Sequence, residues 1–192
     1  VYKKYYENGE LWQLSEYKNG ILNGDFLTNY ESGKRQVEAI YQNGFLEAHY
    51  ISFHENRTKK IDGFYENGLQ VGEWKTYFPD ATINTIGNYD KGKFVGVWSV
   101  YYENGALKQK GNYEDNLASG NWEFYYPNKQ VAKSGTYEND LEQGVWEYFQ
   151  PTGEKYMIGE MKDGKYHGKI QFLISLFCVI FLCFPCVWSD VL

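Results

Sequence analysis

Residues 96–119 read G-V-W-S-V-Y-Y-E-N-G-A-L-K-Q-K-G-N-Y-E-D-N-L-A-S, and at Gly120 the pattern starts again with G-N-W-E-F-Y-Y. The period is 24 residues: Gly stands at 24, 72, 96, 120, 144 and 168, with Ala48 in the gap. Two places further on stand Tyr2, Phe26, Tyr50, Trp74, Trp98, Trp122, Trp146 and Ile170. A fixed period in this range marks a repeat architecture, in which each unit buries its apolar face against its neighbours.

Within the unit, Trp98 to Tyr102 is β-branched or aromatic apart from Ser99, Asn104-Gly105 follows, and Leu107 to Tyr113 makes a second run. Asn-Gly between two such runs signals a hairpin, because a type I′ turn needs positive φ at both central residues. A two-residue loop there sets Glu103 opposite Ala106, Trp98 opposite Gly111 and Gly96 opposite Tyr113. Side chains alternate faces along a strand. Gly96, Trp98, Val100 and Tyr102 therefore share one face with Leu107, Gln109, Gly111 and Tyr113. Each large ring is expected to lie over the bare backbone of the glycine opposite it. The same pairs recur as Trp74 with Gly87, Trp122 with Gly135 and Trp146 with Gly159, and these rings and glycines form the structural set.

The second face carries Ser99, Lys108, Lys110 and Asn112, and is wetter. It keeps an aromatic row: Tyr5, Phe53, Tyr77, Tyr101, Tyr125 and Phe149, with Asn29 as the exception. One reading of that row is a set of cross-strand contacts that stiffens the sheet. The other is an apolar stripe that takes a peptide, a glycan or a partner sheet, with Tyr77, Tyr101, Tyr125 and Phe149 as the binding residues.

In 192 residues there are 20 glycines, only four prolines and 19% aromatics, a β-rich composition and not a disordered one. The fold expected is all-β: an elongated, single-layer antiparallel meander of 24-residue hairpins over residues 1–169, then an apolar tail over 170–192. Unit three, from Ala48, departs most, with Tyr50 for Trp and Asn56-Arg57 for Asn-Gly, which puts regular stacking near 50–58 in question. About fourteen strands at roughly 4.8 Å would give a ribbon on the order of 65 Å long. Each hairpin alone is marginal, so stability should come from stacking on neighbours. A net charge of -6 argues against nucleic acid and against electrostatic capture by anionic lipid. The chain begins at Val1, so a trimmed N-terminus and a lost secretion signal stay open.

From Ile170 to Trp188 no residue is charged. Nineteen such residues suffice for a membrane-spanning helix, with the repeats then on the cytoplasmic side. Alternatively, Ile170 to Ile174 is the last strand, Ser175 to Trp188 an apolar cap interrupted by Pro185, or the whole tail an accident at the sequence level.

Cys178, Cys183 and Cys186 all lie in the tail, in C-x4-C-x2-C spacing without a fourth ligand, so no metal site is expected. His49 and His54 are five apart, on opposite faces of a strand, and His167 stands alone. No catalytic constellation, cofactor motif or phosphate-cradling loop assembles from these residues.

With G-x-W-x-x-Y-Y-x-N-G and then G-x-Y-x-x-G-x-x-x-G on the page, residues 2–169 resemble the MORN-repeat family, in its bacterial-type variant. Trp98, Tyr101, Tyr102, Asn104, Gly105, Gly111, Tyr113 and Gly120 carry the match, best over 72–161. Arg57, Ala81 and Lys129 depart from it at the position of Gly105. The resemblance implies a β-meander used as a scaffold for protein or membrane association, and some members are described as antitoxins. The chain also resembles, less closely, the aromatic cell-wall-binding repeat, and that resemblance implies a glycan ligand. The function expected is therefore a non-catalytic scaffold with a protein partner, with membrane contact through 170–188 or a glycan as alternatives, in a cytoplasmic or membrane-associated setting.

Overall fold

The computed structural model describes residues 1–173. The strands are β1 (Tyr2–Tyr5), β2 (Leu11–Lys18), β3 (Ile21–Asn29), β4 (Arg35–Gln42), β5 (Phe45–Phe53), β6 (Lys59–Glu66), β7 (Leu69–Tyr77), β8 (Ile83–Asp90), β9 (Lys93–Tyr101), β10 (Leu107–Glu114), β11 (Leu117–Tyr125), β12 (Val131–Glu138), β13 (Leu141–Phe149), β14 (Lys155–Lys162) and β15 (Lys165–Phe172). All fifteen lie in one open antiparallel sheet, in chain order. Among the described residues there is no helix.

Two kinds of turn alternate. The two-residue type I′ loop is not at Asn104-Gly105, as the sequence suggested, but on the other connection. Glu66 pairs with Leu69 across Asn67-Gly68, whose φ values are 49° and 79°. Glu114 pairs with Leu117 across Asp115-Asn116, at 50° and 75°. The connection through Asn104-Gly105 is a three-residue loop. Tyr102 N–H donates to the Ala106 carbonyl and Gly105 N–H to the Tyr102 carbonyl, both at 2.9 Å. Of its loop residues only Gly105 has positive φ, 76°. The longer loop is offset by a slip of one residue between Leu107 and Gln109, so Trp98 still pairs with Gly111 as expected.

The rings, however, lie elsewhere. A Cβ added to Gly111 would fall inside the indole of Trp122, not of Trp98. Gly63, Gly87 and Gly135 are covered by Trp74, Trp98 and Trp146, and Gly159 faces Tyr166. Each of these four tryptophans thus covers the glycine of the unit before it. The cause is a bulge between units. Lys110 pairs with Glu123 but Asn112 with Ser119, so Gly120 and Asn121 bulge out with Gly120 at φ 68°. A bulge re-aims the following side chain, here Trp122, back across the joint. A hydrogen bond fixes the ring: Trp74, Trp98 and Trp122 Nε1 donate to the carbonyls of Phe64, Asn88 and Asn112 at 3.2, 3.2 and 3.3 Å. Trp146 Nε1 is buried with no such partner.

The core is a file of rings. From Tyr65 to Trp146, tyrosine and tryptophan alternate edge to face, with centroids between 5.1 Å for Tyr65–Trp74 and 6.3 Å for Trp98–Tyr113. Such a pair adds about 0.5–1.5 kcal/mol to the burial itself. Trp74, Trp122 and Trp146 are 7%, 4% and 0% exposed.

Unit three stacks regularly despite its sequence. Tyr50 pairs with Gly63 and stacks on Trp74 at 6.2 Å, and Ala48 takes the left-handed φ of 62° that glycine takes elsewhere. At the far end, β15 runs past the expected boundary at 169, through Phe172, and is exposed throughout. The rest of the tail, including the three cysteines and most of the span proposed to cross a membrane, lies outside the described residues. Among the described residues no helix is long and apolar enough to cross a membrane.

Candidate functional site

The Tyr-Tyr doublets at Tyr5-Tyr6, Tyr101-Tyr102 and Tyr125-Tyr126 divide their two rings between two jobs. The second ring ties one unit to the next. Tyr6 donates its hydroxyl to the Asn29 carbonyl, Tyr30 to Phe53, Tyr102 to Tyr125 and Tyr126 to Phe149, at 2.8–2.9 Å. His54 fills the place in unit three, with Nε2 donating to the Tyr77 carbonyl at 2.9 Å. Two residues on, Asn8, Asn56, Asn104 and Asn128 donate Nδ2 to the carbonyls of Glu31, Pro79, Pro127 and Pro151. The same four asparagines accept a loop N–H at Oδ1, which holds the three-residue loop closed.

These tied rings wall a series of clefts. One cleft, of about 150 Å³, is lined by Tyr30, Gln36, Val37, Ser52, Phe53 and Lys60, among others. A second, of about 460 Å³, is lined by His54, Lys60, Ile61, Thr76, Tyr77 and Asn84, which are those six positions moved by one period. A third, of about 370 Å³, has Tyr102, Lys108, Gln109, Phe124, Tyr125 and Ala132, the same positions three periods along, and adds Tyr126, Lys133, Tyr148 and Tyr156. The cleft is therefore a periodic site. In the intervening unit Phe78, Asn84, Thr85, Val100, Tyr101 and Lys108 hold the corresponding places.

The four expected binding residues are half-buried. Tyr77 and Tyr125 border the second and third clefts through the carbonyls that accept from His54 and Tyr102, but the row's side chains stand on the other face, Tyr125 beside Glu123 and Phe149 beside Lys155 and Glu147. Tyr101 and Phe149 hold the same place in their own units. Among the described residues no ring pair joins two members of this row. Tyr125 turns its hydroxyl to Glu123 Oε2 at 2.8 Å, and burial together with that carboxylate pushes its pKa up to about 12.

Cations sit over several of the rings. Lys108 Nζ is 5.7 Å from the Tyr102 ring centre. Lys133 Nζ lies 4.7 Å from Phe124 and 4.6 Å from Trp146, and donates to Glu142 Oε1 at 2.9 Å. Glu142 also accepts from Tyr137 at 3.2 Å; burial first and this carboxylate second push Tyr137 up to about 12.

A larger groove, of about 630 Å³, opens on the opposite face, among Val97, Lys110, Asn112, Asn121, Glu123, Ser134, Thr136, Val145 and Glu147. Its walls mix exposed Val97 and Val145 with Lys110, Glu123, Glu147 and short polar side chains, and its one large ring, Trp122, is buried. It offers volume without an aromatic platform.

The histidines do not come together. His49 Nε2 lies 2.6 Å from Asp62 Oδ1, and Lys59 Nζ 2.7 Å from Asp62 Oδ2. Burial works against the Asp62 charge, but hydrogen bonds from Lys59 and His49 outweigh it and hold the carboxyl below the usual range. Among the described residues no cluster of potential metal ligands forms. Sequence reasoning missed the tying role of Tyr6, Tyr30, His54, Tyr102 and Tyr126. The doublets Tyr5-Tyr6, Tyr101-Tyr102 and Tyr125-Tyr126 were the available signal.

A comparison with curated proteins gives no match. The family model described as MORN repeat variant matches residues 1–19, 22–43, 94–115 and 118–139. The last two matches cover β9–β10 and β11–β12, each a hairpin closed by the three-residue loop. MORN repeats generally serve association with proteins or membranes. The chain thus carries the MORN repeat variant in four of its segments, each built on the repeated hairpin.

Proposed function

We propose that the chain is a non-catalytic scaffold that docks an extended segment of a partner protein along the clefts of its tryptophan face. The observation that carries this reading is the repetition of one cleft at shifts of one and three periods, each walled by a ring already tied in place. A ring fixed before binding loses little freedom on binding, so its contact area is converted to affinity with small entropic loss. Tyr77, Tyr125 and Phe149 serve these clefts with the carbonyls that hold His54, Tyr102 and Tyr126, while their own rings, like that of Tyr101, belong to the opposite face. A toxin held by an antitoxin is one kind of partner this scaffold admits.

A displayed library of peptides selected on the chain tests the reading. Selected peptides should lose binding to the Tyr148→Ser, Tyr156→Ser variant, and keep binding to a Val97→Ser, Val145→Ser variant altered in the opposite groove. The reverse pattern would overturn it. The Tyr148–Tyr156 pair, tilted at 56° with centroids 6.5 Å apart, also suits sugar faces, and this favours a glycan as the alternative reading. Binding to a polysaccharide panel, sensitive to Tyr148→Ser, with no peptide selected, would establish the glycan over the peptide.

A further inference from the structure

We propose that the clefts take an acidic, proline-rich segment in the polyproline II conformation, laid across the strands with one turn per repeat. The inference rests on the docking reading above and supplies the partner's chemistry.

The argument begins with spacing. Equivalent positions in successive units are two strands apart, so the cleft recurs about every 9.6 Å. A polyproline II helix turns every three residues and advances about 9.3 Å in doing so. Every third residue of such a segment meets the next cleft in the same orientation. Other conformations fit less well. A β-strand shows the same face about every 6.8 Å. An α-helix shows it every seven residues, about 10.5 Å, and gains roughly 1 Å of misfit per unit. Sheet twist limits any straight ligand to a few units, about nine to twelve residues here.

The chemistry of the walls points the same way. Tyr30, Tyr102 and Tyr126 have committed their hydroxyl protons to carbonyls of the next unit. Their ring faces, not their O–H groups, are what a ligand meets. Proline offers a flat apolar ring and no N–H, and its fixed φ lowers the entropy lost on binding.

Charge supplies the rest. Lys60 and Lys108 line clefts, are exposed, and form no ion pair among the described residues. They occupy the same position two units apart, about 19 Å. Six residues of polyproline II span about 19 Å. The preferred segment therefore carries proline at every third position and two carboxylates six positions apart.

Titration calorimetry of the full chain with synthetic twelve-residue peptides tests this. The peptide with that pattern should bind, and replacing its prolines with glycine should weaken binding about tenfold or more, as ordering entropy returns. Moving the two glutamates to four positions apart, or using Lys60→Gln, Lys108→Gln protein, should weaken it severalfold and flatten its salt dependence. Equal binding of the glycine peptide, or a preference for helical or extended peptides in the same clefts, overturns this inference and leaves the docking reading intact. Absence of any peptide sensitive to Tyr148→Ser, Tyr156→Ser overturns both.

Discussion

The indole of Trp122 lies on Gly111, in the neighbouring unit, and not on Gly135, the residue it pairs with in its own hairpin. Each hairpin is thereby locked to the one before it by a ring with nowhere else to go, since Trp122 is 4% exposed. Gly111→Ala should cost about 1–3 kcal/mol by overpacking against that ring. Chemical denaturation followed by tryptophan fluorescence measures it; a loss below a few tenths of a kcal/mol, as for an ordinary surface change, would mean the ring can move aside.

The ties between units are not uniform. At the joint from Phe78 to Tyr101, Phe78 stands where Tyr30 and Tyr102 donate a hydroxyl, and Asp80 where Asn56 and Asn104 donate an amide. Asp80 instead accepts from the Thr82 N–H and hydroxyl. Among the described joints this one has neither tie. Phe78→Tyr should add a hydroxyl donor to the Tyr101 carbonyl and stabilise the array by about 1 kcal/mol. Hydrogen exchange should slow most in β9 and β10; unchanged or faster exchange there would count against the tie.

Arg57, Ala81 and Lys129 stand at φ of 74°, 70° and 72°, where Gly105 stands in the regular loop. A side chain with a Cβ is strained in that conformation by about 1–2 kcal/mol, partly offset by the entropy glycine loses on folding. Replacing all three with glycine should therefore raise the thermal midpoint, and a lowered midpoint would show that those side chains hold contacts worth more than the strain.

Alkali should unfold the chain through tyrosines that fold in the neutral form. Tyr125 and Tyr137 are raised from 10.0 to about 12. The folded state holds the neutral phenol, so this contribution is complete below pH 10.0 and is lost as pH climbs from there through the folded value of about 12. Stability measured against pH should be flat at neutrality and fall across that window. A fall that begins well below it would assign the loss to other groups.

The fold was readable because the period aligns every strand with its copies, and Trp98 opposite Gly111 followed from it correctly. The covering of the rings was not readable, and the reason is the repetition itself. Trp98 is thirteen residues before Gly111 and eleven after Gly87, and in a 24-residue repeat both glycines carry the same signature. Only the bulge at the start of each tryptophan strand decides between them. The turns were exchanged for a similar reason: Asn67-Gly68 and Asn104-Gly105 share a dipeptide, but only the first has both residues at positive φ. The row of Tyr77, Tyr101, Tyr125 and Phe149 was visible as a pattern, but it lies on the face opposite the clefts. The ties made by their neighbours needed the offset between strands.

A double-mutant cycle on the ring and its two candidate glycines tests the central relationship most directly. Combining Trp122→Ala with Gly111→Ala should show coupling of about 1 kcal/mol or more, because the added methyl is tolerated once the indole is gone, whereas Trp122→Ala with Gly135→Ala should be additive to within about 0.5 kcal/mol. Additivity at Gly111 with coupling at Gly135 would place the ring within its own hairpin and contradict the account.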